Sequence, residues 1–162
     1  MLRVENLYWG HYENNTFYRN SANSVGGVDV DYLLINFGTK DISEYTITLA
    51  PYNGAGRKHT DSMGKCEVTI AGYDLLRSGS HIKANSAKPC WYSTNIRAVN
   101  VESIKVIYTD GTTEECQGNY QPSPEEKKIL TKAKAKYTTN LLIGVAAIIT
   151  IFIVLIMVAR DL

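Results

Sequence analysis

The chain has 162 residues, a net charge of +1, 44% hydrophobic and 20% charged residues, and a mean hydropathy of −0.17. These averages exclude a strongly basic nucleic-acid binder and an acidic tail, and they leave too little apolar sequence for a protein with many spans. The length suits one ordinary domain and an appendage.

The averages conceal three different segments. Residues 1–122 carry a net charge of −2, residues 123–140 carry +3 from five Lys and two Glu, and residues 141–162 carry 0. They read as a polar domain at 1–122, a basic juxtamembrane helix at 123–140, a transmembrane helix at 141–159 and a short tail at 160–162.

The polar segment reads as all-β. Leu7-Tyr-Trp9 and Phe17-Tyr-Arg19 are candidate early strands. In Val28–Phe37 the apolar residues first alternate with Asp29 and Asp31 and then run together, which fits a strand with a solvated start and a covered middle. Tyr45, Ile47 and Leu49 share one face of the next strand. Cys66, Val68 and Ile70 alternate with Glu67, Thr69 and Ala71, and Ile104, Val106 and Tyr108 alternate with Ser103, Lys105 and Ile107. Thr109-Asp-Gly-Thr112 supplies a hairpin turn into a returning strand at Thr113–Cys116. Turn clusters fall at Asn20–Gly27, Pro51–Gly56 and Ser78–Pro89, and no run before residue 123 has a helical period. Roughly six to eight short strands in about 120 residues predict an antiparallel β-sandwich, with Greek-key connections of immunoglobulin type.

Four segments in this order carry a resemblance: Gly26-Gly-Val-Asp-Val30, Pro51-Tyr-Asn-Gly-Ala-Gly56, Cys90-Trp-Tyr92 and Ile107-Tyr-Thr-Asp-Gly-Thr112. Over roughly residues 18–118 the chain resembles an immunoglobulin-like β-sandwich module of Gram-positive bacterial envelope proteins. It departs at Arg57, where that module carries Asp, and at Ser93, where it carries Asn, so no ligand role is carried over to those positions. The resemblance implies a fold and a bacterial origin, and no activity.

Candidate chemistry is sparse. Cys66, Cys90 and Cys116 lie 24 and 26 residues apart, without a CxxC pair or zinc-finger spacing. In a cytoplasmic domain they read as reduced thiols, with Cys66 a buried small hydrophobe; export would make a Cys66–Cys90 bridge available. His11, His59 and His81 are scattered, and nothing sets a Cys beside a His. Asp29 and Asp31 share a strand face and could hold a cation given a third ligand, but solvated strand carboxylates are commoner. There is no phosphate loop, dinucleotide fingerprint or GxSxG elbow. No cofactor, metal or nucleic acid is expected. The Pro51–Gly56 loop reads as a binding loop or an ordinary connection, and base rates favour the latter. Trp91 and Tyr92 read as core aromatics. Tyr8, Trp9, Tyr12 and Tyr18, with Phe17, form either an exposed aromatic interaction surface or ordinary strand composition.

In the connector, Ser123-Pro-Glu-Glu126 has a helix start signature: an N-cap Ser, Pro at the first position and Glu at the third. Lys127, Lys128, Lys132, Lys134 and Lys136 then flank the apolar end, and Tyr137 suits the headgroup region. The Lys stripe at 128, 132 and 136 reads as topology and anchoring more than as specific lipid recognition. Leu141–Ala159 holds 19 residues without a charge. As a helix it measures about 28 Å, close to the roughly 30 Å of bilayer hydrocarbon. Ala146 and Thr150 form a small-xxx-small pair, a weak oligomerisation signal.

The basic flank keeps the N-terminal domain in the cytoplasm, and the opening residues lack a secretory signal pattern. The sequence thus predicts a tail-anchored, single-pass protein of the cell membrane. It would present a non-enzymatic interaction domain to another protein. The competing expectations are an exported envelope module of the same fold and a ligand- or metal-binding enzyme built on loop side chains.

Overall fold

The computed structural model describes residues 1–86 and 88–128. The chain divides into two units, Met1–Pro122 and Ser123–Leu162. Among the described residues the first unit holds nine strands: β1 (Leu2–Glu13), β2 (Thr16–Arg19), β3 (Gly27–Asn36), β4 (Ile42–Tyr52), β5 (Val68–Gly72), β6 (His81–Asn85), β7 (Trp91–Tyr92), β8 (Ala98–Tyr108) and β9 (Thr113–Gln117). One sheet runs β2-β1-β3-β6, with β7 also on β3; the other runs β5-β4-β8-β9. Every pair is antiparallel.

The side-chain period of two decides what fills the core. Val28, Val30, Tyr32 and Leu34 of β3 face Tyr45, Ile47 and Leu49 of β4 and Ile104, Val106 and Tyr108 of β8 within one apolar cluster. Trp91 at its centre is fully buried. The fold is therefore all-β and sandwich-like: two sheets, each too thin to stand alone, bury their apolar faces together.

Local chemistry sets the turns. Glu13 pairs with Thr16, so β1 and β2 are joined by Asn14 and Asn15, at φ 48° and 62°. This is a two-residue turn with both residues left-handed, a conformation Asn tolerates better than most residues and one whose twist matches the strands. Between β8 and β9, only Gly111 has positive φ (79°), and Gly111 N–H donates to the Tyr108 carbonyl at 2.9 Å. That hairpin is the three-residue form ending in a left-handed Gly.

Three expectations need correction. Asp29 and Asp31 are only 7% and 6% exposed, not solvated, because β3 is a central strand with neighbours on both edges. Cys66 is exposed, because β5 begins two residues later and the alternating pattern runs into a loop. The Ser78–Pro89 turn cluster contains β6, whose exposed His81, Lys83 and Asn85 hid its alternation with half-buried Ile82 and Ala84.

In the second unit, Ser123 caps a helix at 124–128. Glu126 N–H donates to Ser123 Oγ (3.2 Å) and Ser123 N–H donates to the Glu126 carboxylate (2.7 Å), the reciprocal box anticipated from sequence. Lys127 and Lys128 are exposed there. Lys132, Lys134, Lys136, Tyr137 and the apolar stretch 141–159 lie outside the described residues. Among the described residues, no helix is long and apolar enough to cross a membrane.

Candidate functional site

Three loops at one end of the sandwich are built to the same plan. Each starts at an Asn or Asp and has Gly three residues on: Asn23–Gly27, Asn53–Arg57 and Asp61–Lys65. The first residue donates its N–H to the carbonyl four residues ahead and accepts on its own carbonyl from the Gly, at 2.9–3.1 Å throughout. Its side-chain Oδ1 accepts two further N–H groups. Asn23 takes Val25 (3.1 Å) and Gly27 (2.7 Å), Asn53 takes Ala55 (3.0 Å) and Arg57 (3.1 Å), and Asp61 takes Met63 (2.9 Å) and Lys65 (2.8 Å). Gly26, Gly56 and Gly64 all have positive φ (81°, 70° and 80°), which is why glycine recurs there. The Pro51–Gly56 turn is thus internally satisfied. Two of these loops carry apolar tips, Val25 (73% exposed) and Met63 (69%).

Asp61 also ties its loop to β7 at Tyr92, which, unlike the core Trp91 beside it, is only half-buried. Its Oδ2 accepts Tyr92 N–H at 2.9 Å, while Ser62 N–H donates to the Tyr92 carbonyl at 3.2 Å. On the other side of β7, Ser93 N–H donates to the Gly26 carbonyl at 2.7 Å. Burial by itself would raise the Asp61 pKa; the N–H groups of Tyr92, Lys65 and Met63 and the Lys65 charge outweigh it and hold the carboxyl below its ordinary value.

Next to this end, the outer face of the first sheet holds the two unexpected carboxylates. Asp29 lies opposite Gly10. Gly10 is required because a Cβ would strike the Tyr18 carbonyl. Over Asp29 opens a polar cleft of about 460 Å³, lined by Tyr12, Asn15, Asn23, Asn85, Ser86, Lys88 and Pro89. Burial raises the Asp29 pKa, opposed by Tyr12 N–H, the Ser86 hydroxyl and His11. Asp31 lies opposite Tyr8, where β1 bulges at Asn6–Leu7 with Asn6 at φ 50°. Lys83 Nζ reaches Asp31 Oδ2 at 3.2 Å, while Asp31 Oδ1 is buried without a partner.

The early aromatics split by the same parity. Trp9 turns inward opposite Val30 and belongs to the core, Tyr8, Tyr12 and Phe17 lie on the outer face, and Tyr18, paired with His11, shares the face of Trp9. Tyr8 lies under the Arg19 guanidinium (3.5 Å), Tyr12 packs on Phe17 (centroids 4.8 Å apart) and exposed Tyr18 stacks on His11 (5.2 Å).

No family model matches the chain, and no curated protein matches it.

The groups best suited to covalent chemistry are engaged elsewhere. His59 Nε2 and Ser93 Oγ are 2.8 Å apart, but Ser93 Oγ also accepts Asn95 N–H at 3.1 Å, and no carboxylate orients the imidazole among the described residues. Burial pushes the Cys90 thiol up to about 11, which holds it in the unreactive protonated form. The three cysteines are free. Among the described residues, no group of three His, Cys, Asp or Glu side chains is arranged to hold a metal ion. The arrangement offers a polar cleft and structured loop tips. The repeated Asn/Asp-x-x-Gly spacing could have revealed those loops from sequence; the Asp29 cleft depends on which strands flank β3 and had no local signal.

Proposed function

We propose that the chain is a single-pass membrane protein whose immunoglobulin-like sandwich acts as a non-enzymatic protein-interaction domain on the cytoplasmic membrane face. One observation carries the attachment: 19 consecutive residues without a charge, Leu141–Ala159, preceded by Lys127, Lys128, Lys132, Lys134 and Lys136. The immunoglobulin-like assignment is supported by strand order. The chain changes sheet between β3 and β4 and between β5 and β6, returns to β8, and closes three antiparallel pairs of consecutive strands, β1–β2, β4–β5 and β8–β9. The likeness to the envelope module agrees with it. Recognition is assigned to the loop end and the neighbouring cleft, where ordered backbone presents polar and apolar groups together.

Cys66 supplies the test because it is the exposed thiol. A membrane-impermeant maleimide should label it only after cells are permeabilised. Labelling in intact cells would overturn the cytoplasmic assignment in favour of an exported module. Alkaline extraction should leave the chain in the membrane pellet, and deletion of 141–159 should release it.

A further inference from the structure

Among the described residues, most sheet edges are blunted. β2 is four residues long and carries Arg19. The free edge of the first half of β1 is covered by Asn119, whose side-chain oxygen accepts Val4 N–H (3.0 Å) and whose amide donates to the Val4 carbonyl (2.6 Å). β6 carries Lys83, β9 carries Glu114 and Glu115, and Tyr92 in β7 is tied to Asp61 and Ser62. β5, Val68-Thr-Ile-Ala-Gly72, has no charge, no Pro and no bulge against β4. Among the described residues, its backbone makes no hydrogen bond outside the β4 ladder. A row of unpaired N–H and C=O groups on an uncharged, β-prone segment is a template for another strand.

We propose that β5 pairs antiparallel with β5 of a second copy about a two-fold axis at Ile70, joining two β5-β4-β8-β9 sheets into one. The segment is self-complementary in this register. Ile70 meets the partner's Ile70, Val68 meets the partner's Gly72, and Thr69 meets the partner's Ala71. Opposite residues of an antiparallel pair share a face, so the half-buried row continues across the axis and exposed Thr69 and Ala71 stay outward. No like charges meet. Extending the register, Glu67 falls opposite the partner's Tyr73, a 75% exposed ring whose hydroxyl can donate to the carboxylate. Lys65 comes one position from the partner's Asp74, its opposite in sign. Symmetry doubles each contact. So short a pairing buries less than the roughly 1,200 Å² of a stable soluble dimer. It suits copies confined to one membrane plane, a point that rests on the anchor proposed above.

The test uses the full chain in density-matched detergent micelles, with self-association read by sedimentation equilibrium. Thr69→Lys with Ala71→Lys sets Lys against Lys twice across the axis. Thr69→Lys with Ala71→Glu sets Lys against Glu twice, with similar bulk. The wild type should show a monomer–dimer equilibrium. The Lys/Lys variant should dissociate, and the Lys/Glu variant should associate about tenfold more tightly than the Lys/Lys variant. Circular dichroism of both variants should match the wild type. Three outcomes overturn the proposal: a monomeric wild type, which leaves the edge to an extended segment of a different protein; a dimer indifferent to both variants, which places association elsewhere in the chain; or equal weakening by both, which refutes the register. Flotation with vesicles reads the anchor separately, so failure of the anchor and failure of the edge are distinguishable.

Discussion

Asp61→Asn removes one negative charge and one acceptor from a buried junction while keeping the shape. In the native protein the carboxylate accepts three backbone N–H groups: Met63 and Lys65 at Oδ1 (2.9 and 2.8 Å) and Tyr92 at Oδ2 (2.9 Å). The Asn oxygen can keep the first pair. Its amide then faces Tyr92 N–H, donor against donor, beside the fully buried Trp91. Hydrogen bonds to a charged group are worth about 1.5–3 kcal/mol, and an unsatisfied buried donor costs about 1–3 kcal/mol. Met63 and Lys65 are exposed and can turn to water, so the loss concentrates at Tyr92 and amounts to about 2–3 kcal/mol. Urea unfolding of the purified chain, followed by tryptophan fluorescence, measures it as a shifted midpoint at unchanged slope. The pH dependence has a definite sign. The folded pKa of Asp61 lies below its unfolded value, so the unfolded chain binds more protons in that window. The contribution is complete above the unfolded pKa of about 3.9 and is lost as pH falls through the folded value. The Asn variant should lack this acid-side loss. A variant within about 0.5 kcal/mol of wild type at neutral pH, with the same acid response, would refute the reasoning.

Asp29 should behave in the opposite way. Its folded pKa is raised, so its ionised form opposes folding and stability from this group increases as pH falls through that pKa; Asp29→Asn should stabilise the chain at neutral pH in the same urea assay, and a destabilised variant would rule this out. Trp91→Ala should cost about 3–5 kcal/mol, whereas Trp91→Phe should cost clearly less, because the buried indole N–H it removes has no hydrogen-bond partner; equal thermal shifts would contradict this. Gly72→Ala should lower the melting temperature, since a Cβ there would strike the buried Tyr45 ring; an unchanged melting curve would mean the ring moves freely. Cys66 should react with a thiol reagent in the native protein, while Cys90, buried with its thiol pushed up to about 11, should react only on unfolding; comparable native rates would place Cys90 at the surface.

Legibility in the sequence followed the range of the signal. The strands with long alternating runs were readable: Tyr45, Ile47 and Leu49 are buried on one face of β4, as are Ile104, Val106 and Tyr108 of β8. Side-chain parity is local, so a single segment reveals it. The Ser123 capping box was readable for the same reason, since all its partners lie within three residues. β6 was not, because its half-buried residues are interrupted by His81, Lys83 and Asn85 on an outward face.

The sequence by itself determined the all-β class, the burial of Trp91, the helix start at Ser123 and the separation into polar, basic and apolar segments. Only the tertiary structure decided which polar residues are buried and which edges are free. Asp29 and Asp31 look like solvated strand carboxylates until β3 is placed inside its sheet, where both are buried. Val68–Gly72 looks like any short strand until it is placed at the edge of its sheet, paired on the β4 side alone. Both depend on which distant segments become neighbours, and a residue's own neighbours in sequence carry no record of that.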